Sequence, residues 1–155
     1  MSGATGRKKK VGVSLQKETV EFYNRVVECL NLRGVKVTLS KVINTVLREL
    51  VSRVEVKKFV EAFLKNTYTS NGFSYIHKRL ERRYGRVKSG EGARDLLHIG
   101  LAIDKDVVKW FDTVVSEIKS VLPGVSRSIV INTYLDWIRI KHNKRVCDIL
   151  YNKLK

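Results

Sequence analysis

The side chains of this sequence that are best suited to chemistry are mostly basic. The chain carries 31 Lys and Arg residues against 15 Asp and Glu residues, which gives a formal net charge of +16. An excess of this size attracts polyanions, nucleic acid first and an anionic membrane surface second. Arg7, Lys8, Lys9 and Lys10 follow a run of small polar residues. This pattern predicts a flexible basic arm over residues 1–10 that lies along phosphates or acts as a solubilising tail.

A second basic cluster falls between residues 73 and 94. Arg79, Arg82 and Arg83 recur there at helical spacing and would share one face of a helix. Such a face can bind flanking phosphates, and the alternative is a solvated helix surface.

Side chains suited to bond-making chemistry are not grouped. His77, His98 and His142 lie far apart in the sequence and have no Cys or carboxylate companions. The sequence motifs of zinc proteases, dinucleotide sites, phosphate loops and serine hydrolases are absent. Cys29 and Cys147 stand singly, which indicates neither a zinc site nor a disulfide framework. The sequence predicts no enzyme, no catalytic residue, no metal and no cofactor.

An internal repeat organises the chain. Residues 11–51 align without a gap with residues 99–139, an offset of 88 positions, and 12 of the 41 pairs are identical. The run Val-Ile-Asn-Thr at 42–45 recurs unchanged at 130–133. A repeat of this kind identifies the structural unit.

Each copy of the repeat reads as a strand followed by helices. Val11, Val13 and Leu15 alternate with polar residues, as in a strand with one apolar face, and the second copy keeps this alternation. Apolar residues at helical spacing then predict a helix ending near residues 32–34 and a second helix capped by Thr38, or by Ser126 in the second copy. A further helix follows in each copy, over about 54–66 and 144–154. Gly85, Gly90 and Gly92 place a linker over residues 85–95.

This order resembles the ribbon–helix–helix family of DNA-binding proteins, of the MetJ/Arc type. The resemblance covers about 41 residues twice and rests on apolar spacing. It implies a mainly α-helical fold with short β-strands, in which strands of two motifs pair into an antiparallel ribbon. The corresponding domains are repeat 1 with its third helix (11–66), a basic helical connector (67–96) and repeat 2 with a C-terminal helix (97–155). Tandem motifs in short basic chains are also similar to regulators of archaea and archaeal viruses.

In this family the outward side chains of the ribbon contact base edges in the major groove, and the start of the second helix holds a phosphate. The positions that match the base-reading role are Lys10, Gly12, Ser14, Gln16 and His98. The positions that match the phosphate-binding role are Thr38, Leu39 and Ser40 in the first copy and Ser126, Arg127 and Ser128 in the second. Asn44 and Asn132 are interpreted as structural. The second strand carries His98, Gly100 and Ala102 outward. Of these only His98 can hydrogen-bond to a base edge with its side chain, so the second strand is expected to contribute less to base recognition.

The resemblance implies a sequence-specific transcriptional regulator of double-stranded DNA, with repression as its expected action. The alternatives are an antitoxin-like protein-interaction module that uses the motif to dimerise, and architectural or RNA binding by charge alone. The repeats can pair within one chain, as a pseudo-dimer, or between the chains of a homodimer, and neighbours can associate further along DNA. The unequal outward faces slightly favour pairing between chains. No segment has the length and apolarity of a membrane span or the form of a signal peptide, so the expected location is the cytoplasm, of a host cell for a viral protein.

Overall fold

The computed structural model describes residues 7–65 and 96–155, and in these ranges both repeats run strand, helix, helix, helix. Repeat 1 comprises β1 (Lys8–Gln16), α1 (Lys17–Leu32), α2 (Leu39–Arg53) and α3 (Val56–Leu64). Repeat 2 comprises β2 (Leu96–Asp104), α4 (Lys105–Ile118), α5 (Arg127–His142) and α6 (Val146–Leu154). The predicted fold class, mainly helical with short antiparallel strands, is confirmed at this level.

Local sequence explains where the helices begin and end. Gly34 adopts a φ of +90°, and its N–H and that of Val35 donate to the carbonyls of Asn31 and Leu30, which closes α1 as glycine often does. Thr38 Oγ1 accepts a hydrogen bond from Lys41 N at 3.2 Å, and Ser126 Oγ accepts one from Ile129 N at 3.3 Å. These two hydroxyls are the predicted N-caps of α2 and α5.

The strands β1 and β2 form one antiparallel ribbon within a single chain. Gly12 lies opposite Gly100, and these two glycines are also equivalent positions of the sequence repeat. The register and the repeat therefore share one centre, and an approximate two-fold axis relates the two halves of the ribbon there. The preference for pairing between chains was wrong for this structure, because each repeat finds its partner strand in the other repeat.

The inner face of the ribbon covers one side of a hydrophobic core that both repeats share. Val11, Val13 and Leu15 on β1 and Leu101 and Ile103 on β2 are all buried, as the alternation predicts. Together with apolar residues of all six described helices they form one hydrophobic cluster. Burial of this face fixes the register of the ribbon, since a shift by one residue would turn the apolar side chains outward.

The third helix of each repeat packs on the first helix of the other. The ring of Phe59 on α3 lies 5.3 Å from that of Trp110 and 6.4 Å from that of Phe111, both on α4. On the opposite side, Cys147 of α6 forms a disulfide with Cys29 of α1. The prediction that these cysteines stand apart was wrong: they are 118 residues apart in sequence, and only the exchange of third helices brings them together.

Some predicted boundaries move. The strand β1 begins at Lys8, so Lys8, Lys9 and Lys10 belong to the ribbon rather than to an arm. The helix α3 ends at Leu64, and β2 begins at Leu96. Arg79, Arg82 and Arg83 lie outside the described residues, as do residues 1–6.

Candidate nucleic-acid interface

The outer face of the ribbon is formed by residues that alternate with the buried ones. On β1 these are Lys8, Lys10, Gly12 and Ser14, of which only Ser14 is half-buried, and on β2 they include His98, Gly100 and Ala102. In the register, Lys10 lies opposite Ala102 and Ser14 lies opposite His98. The predicted base-reading residues Lys10, Gly12, Ser14 and His98 are therefore brought together on one surface.

The centre of this surface is bare backbone. A Cβ added to Gly12 would meet nothing within 4 Å, so packing within the described residues does not require glycine there. A Cβ added to Gly100 would lie 2.8 Å from Lys10 Cε, because the Lys10 stem crosses the ribbon toward the opposite strand. The arrangement places one long cationic side chain beside a shallow centre that another molecule can approach closely.

Ser14 and His98 form a cross-strand pair on the same surface. Ser14 Oγ lies 2.5 Å from His98 Nδ1, and both side chains face solvent. The pair leaves the other ring nitrogen of His98 available as a donor or an acceptor, which are the two capacities that base edges require.

The predicted base-reading role of Gln16 was wrong. It was predicted as a polar reader at the end of β1, but it is 4% exposed. Its side-chain oxygen Oε1 accepts from Asn132 Nδ2 at 3.2 Å, and its backbone N donates to Asn132 Oδ1 at 2.9 Å. The side chain is buried because α5 covers this end of the strand, so it cannot face a groove.

The outer edges of the ribbon are held by paired Ser and Asn side chains of the helices. Ser40 Oγ and Asn44 Oδ1 of α2 accept the backbone N–H groups of Ala102 (3.1 Å) and Asp104 (2.9 Å) on β2. The equivalent Ser128 Oγ and Asn132 Oδ1 of α5 accept those of Ser14 (3.0 Å) and Gln16 (2.9 Å) on β1. We call these four side chains the edge latches. They satisfy N–H groups that an open strand edge would otherwise present for association.

The edge latches explain why both copies carry Asn in the repeated run Val-Ile-Asn-Thr, and they confirm the structural interpretation of Asn44 and Asn132. They also give a structural role to Ser40 and Ser128, which were predicted to bind phosphate. Both hydroxyl oxygens accept a strand N–H, and the Thr38 and Ser126 hydroxyl oxygens cap their helices. Each hydroxyl keeps its own proton, which a phosphate oxygen can accept beside the first backbone N–H groups of the helix, so phosphate binding at these residues stays a prediction.

The latches place these helix starts beside the ribbon. Because Ser40 is bonded to β2 and Ser128 to β1, the N-terminus of α2 flanks one edge of the ribbon and that of α5 flanks the other. Leu39 and Arg127 are the first residues of the two helices. The Arg127 guanidinium is bonded to Asp112 at 2.7 and 3.0 Å, which offsets the positive charge that was predicted for phosphate binding.

A charged cluster at the end of β2 was missed by the sequence analysis. Arg48 NH2 of α2 contacts Asp104 Oδ2 at 2.7 Å and Asp106 Oδ1 at 2.6 Å, and Lys8 Nζ contacts Asp104 Oδ1 at 3.3 Å. Burial alone would raise the pKa of Asp104, but hydrogen bonds from Arg48, Asn44 and Lys8 outweigh it and hold the pKa below its usual value. The hydrogen bond from Arg48 lowers the pKa of Asp106 as well.

The repeat offset gave a signal for this cluster. Arg48 is equivalent to Asp136, and Asp104 is equivalent to Gln16. The two copies differ in charge at these two positions, although the apolar positions around them are apolar in both copies. Lys8 thus contacts a carboxylate at one end of the ribbon, and like Arg7, Lys9 and Lys10 it is exposed.

Within residues 7–65 and 96–155, no group of three or more His, Cys, Asp and Glu side chains is placed to hold a metal ion, and no helix is long and apolar enough to cross a membrane. Comparison with protein-family models, with curated proteins and with solved structures returns no match to this chain.

Proposed function

We propose that this chain is a sequence-specific double-stranded DNA-binding protein of the ribbon–helix–helix type that regulates transcription. The observation that carries the proposal is the ribbon with its two flanking helix starts. A polar, lysine-bearing outer face lies between the N-termini of α2 and α5, one at each edge. A ribbon of this kind fits the major groove, and helix starts beside it face the phosphates of the groove walls.

The dimensions of the ribbon support this use. Each strand has nine residues, which at about 3.3 Å per residue gives a ribbon of roughly 30 Å. The major groove is about 12 Å wide and admits two paired strands. Gly12 leaves its side of the middle of the ribbon open, so the backbone there can approach the floor of the groove, and the Lys10 side chain lies beside Gly100.

The charge around the ribbon supports it as well. Lys9 and Lys10 are exposed on β1 and Arg7 just before it. Lys17 and Lys105, which are equivalent in the repeat, are exposed at the ends of the two strands. Cations at these places lie within reach of both groove walls and would release counterions from the duplex on binding. A protein that occupies the groove of a promoter excludes other proteins from it, so repression is the expected regulation.

The protein-interaction alternative has less support. It predicted an apolar stripe left open on the third helix of either repeat. Instead, Phe59, Val60 and Phe63 on α3 and Val146 and Leu150 on α6 are buried against the rest of the chain. Ile149, at 41% exposed, is the main apolar side chain of these two helices left at the surface.

The test is selection of bound duplexes from a random pool, followed by fluorescence anisotropy on the selected duplex and on a scrambled one. Lys10→Ala should lower the preference for the selected duplex by about tenfold, since a base contact by a long basic side chain contributes about 1–3 kcal/mol of discrimination.

The matched control is Lys141→Ala, which removes the same charge at an exposed position about 20 Å along α5 from Ser128. It should leave the preference unchanged. Equal affinity of the native protein for both duplexes at physiological salt would contradict sequence-specific binding, and an equal loss of preference in both variants would contradict reading by Lys10.

A further inference from the structure

The two ends of the ribbon present different chemistry. One end carries the pairs Lys8–Asp104 and Lys10–Ala102, and the other carries Ser14–His98 and Gln16–Leu96. We call them the lysine end and the serine–histidine end. The approximate two-fold axis through Gly12 and Gly100 exchanges the two ends, so a symmetric protein would have made them identical. Lys10 of the first end is replaced by His98 at the second, and Ala102 by Ser14.

A homodimer in which each repeat pairs with the same repeat of a second chain would have symmetric ribbons, but the charges at the repeat contact disfavour it. In the structure, Arg48 of α2 neutralises Asp104 of the other repeat, whose side chain is 9% exposed. Pairing of repeat 2 with repeat 2 would put Asp136, the equivalent of Arg48, beside Asp104. Asp136 is itself 4% exposed, so two buried carboxylates would face each other. Opposite charges meet at this contact only when the two different repeats pair, which favours one asymmetric ribbon per chain.

We propose that one chain binds a duplex site without two-fold symmetry, in which guanine is required in one half only. The inference rests on the proposed function and specifies its target. The lysine end is suited to guanine, whose O6 and N7 are both acceptors in the major groove. The serine–histidine end offers a hydroxyl and a ring nitrogen, which accept more than one base. The two halves of the site are therefore read by different groups and with different stringency.

The test is selection of duplexes from a random pool under conditions where the mass of the complex corresponds to one chain per duplex. The native protein should enrich a motif with guanine fixed in one half and a weaker, different preference in the other. An inverted repeat made from two copies of the guanine half should bind no better than the native site, and one made from two copies of the other half should bind about tenfold or more weakly.

Two double variants make the positions on either side of the central glycines, 10 and 98 and 14 and 102, symmetric in opposite ways. His98→Lys with Ala102→Ser gives both ends the lysine and serine of repeat 1, and it should select an inverted repeat with guanine in both halves. Lys10→His with Ser14→Ala gives both ends the residues of repeat 2, and it should select an inverted repeat without the guanine requirement. Circular dichroism and urea unfolding check that each variant keeps the native fold.

The outcomes separate this inference from the function on which it rests. An inverted repeat selected by the native protein, or a motif whose symmetry is the same in all three proteins, would overturn the asymmetry and leave DNA recognition intact. Failure of the native protein to enrich any motif would overturn the proposed function and this inference together.

Discussion

Thr38 and Ser126 each lie at a helix start that is also a candidate phosphate-binding site. Each hydroxyl caps its helix, so removing it would disturb the helix and any anion bound there alike. Thr38→Asp avoids this ambiguity, because Asp caps a helix as well as Thr but adds a negative charge where a phosphate would lie. We expect it to weaken binding to every duplex by about tenfold, since one phosphate contact is lost and a repulsion is added.

Thr38→Asn is the matched control, because it keeps the cap and adds no charge. The measurement is anisotropy on selected and scrambled duplexes at several salt concentrations. If Thr38→Asp and Thr38→Asn bind equally well, the start of α2 does not contact the DNA backbone.

Asp104 gives a prediction about acid stability. Its pKa is lowered in the folded protein, so its contribution to the free energy of unfolding is fully present above the unfolded value of about 3.9 and is lost as the pH falls through the folded value. We therefore expect Asp104→Asn to destabilise the protein at neutral pH by about 1–3 kcal/mol, because bonds to a buried charged group are lost. Below pH 4 the difference from the native protein should shrink.

Asp106→Asn is the control for this experiment, since Asp106 contacts the same arginine but its side chain is 56% exposed. Urea unfolding at pH 7 and at steps below pH 4 measures both variants. A difference for Asp104→Asn that stays constant with pH would mean that the carboxylate does not titrate differently in the folded and unfolded protein.

At the scale of elements, the edge latches join each second helix to the strand of the other repeat. Asn44→Ala and Asn132→Ala would each leave a strand N–H group without its acceptor at a covered edge. We expect each substitution to lower the free energy of unfolding by about 1–3 kcal/mol. Asn24→Ala, at an exposed position of α1, should change it by no more than about 0.5 kcal/mol.

Urea denaturation followed by circular dichroism measures the three variants under one condition. The latches would be irrelevant to stability if Asn44→Ala and Asn132→Ala unfolded at the same urea concentration as Asn24→Ala.

The elements were also the part of the fold that the sequence could predict. Alternation over residues 11–15 and helical spacing after it are local patterns, so the strands, the helices and the caps at Thr38 and Ser126 followed from them. Gln16 was misassigned because its burial depends on α5, which lies more than 100 residues away in the chain. The Arg48–Asp104 pair and the Cys29–Cys147 disulfide were missed for the same reason. Each joins segments whose proximity is decided by which repeat pairs with which.

At the scale of the whole molecule, the repeats are interlocked rather than placed side by side. Each strand pairs with the other strand, each second helix latches the other strand, and each third helix packs on the other first helix. Arg33, which follows α1 directly, adds to the last of these contacts, since its NH1 lies 2.6 Å from Asp148 Oδ1 and its guanidinium stacks 3.9 Å over the ring of Tyr151. Within one chain, the two repeats therefore complete one antiparallel ribbon and share one core.

The disulfide closes this interlocked arrangement covalently, and its loss should reveal how much the arrangement depends on it. Cross-linking residues 118 positions apart restricts the unfolded chain, and loss of such a bond costs about 2–5 kcal/mol. We expect Cys29→Ser with Cys147→Ser, or reduction by dithiothreitol, to lower the free energy of unfolding by this amount. Duplex affinity of the folded protein should stay the same, because the ribbon and the starts of α2 and α5 do not include either cysteine.

Urea unfolding with and without reductant measures the loss of stability, with the double variant as the control that should not respond to reductant. Equal unfolding midpoints of the native protein in both conditions would mean that the bond adds no stability.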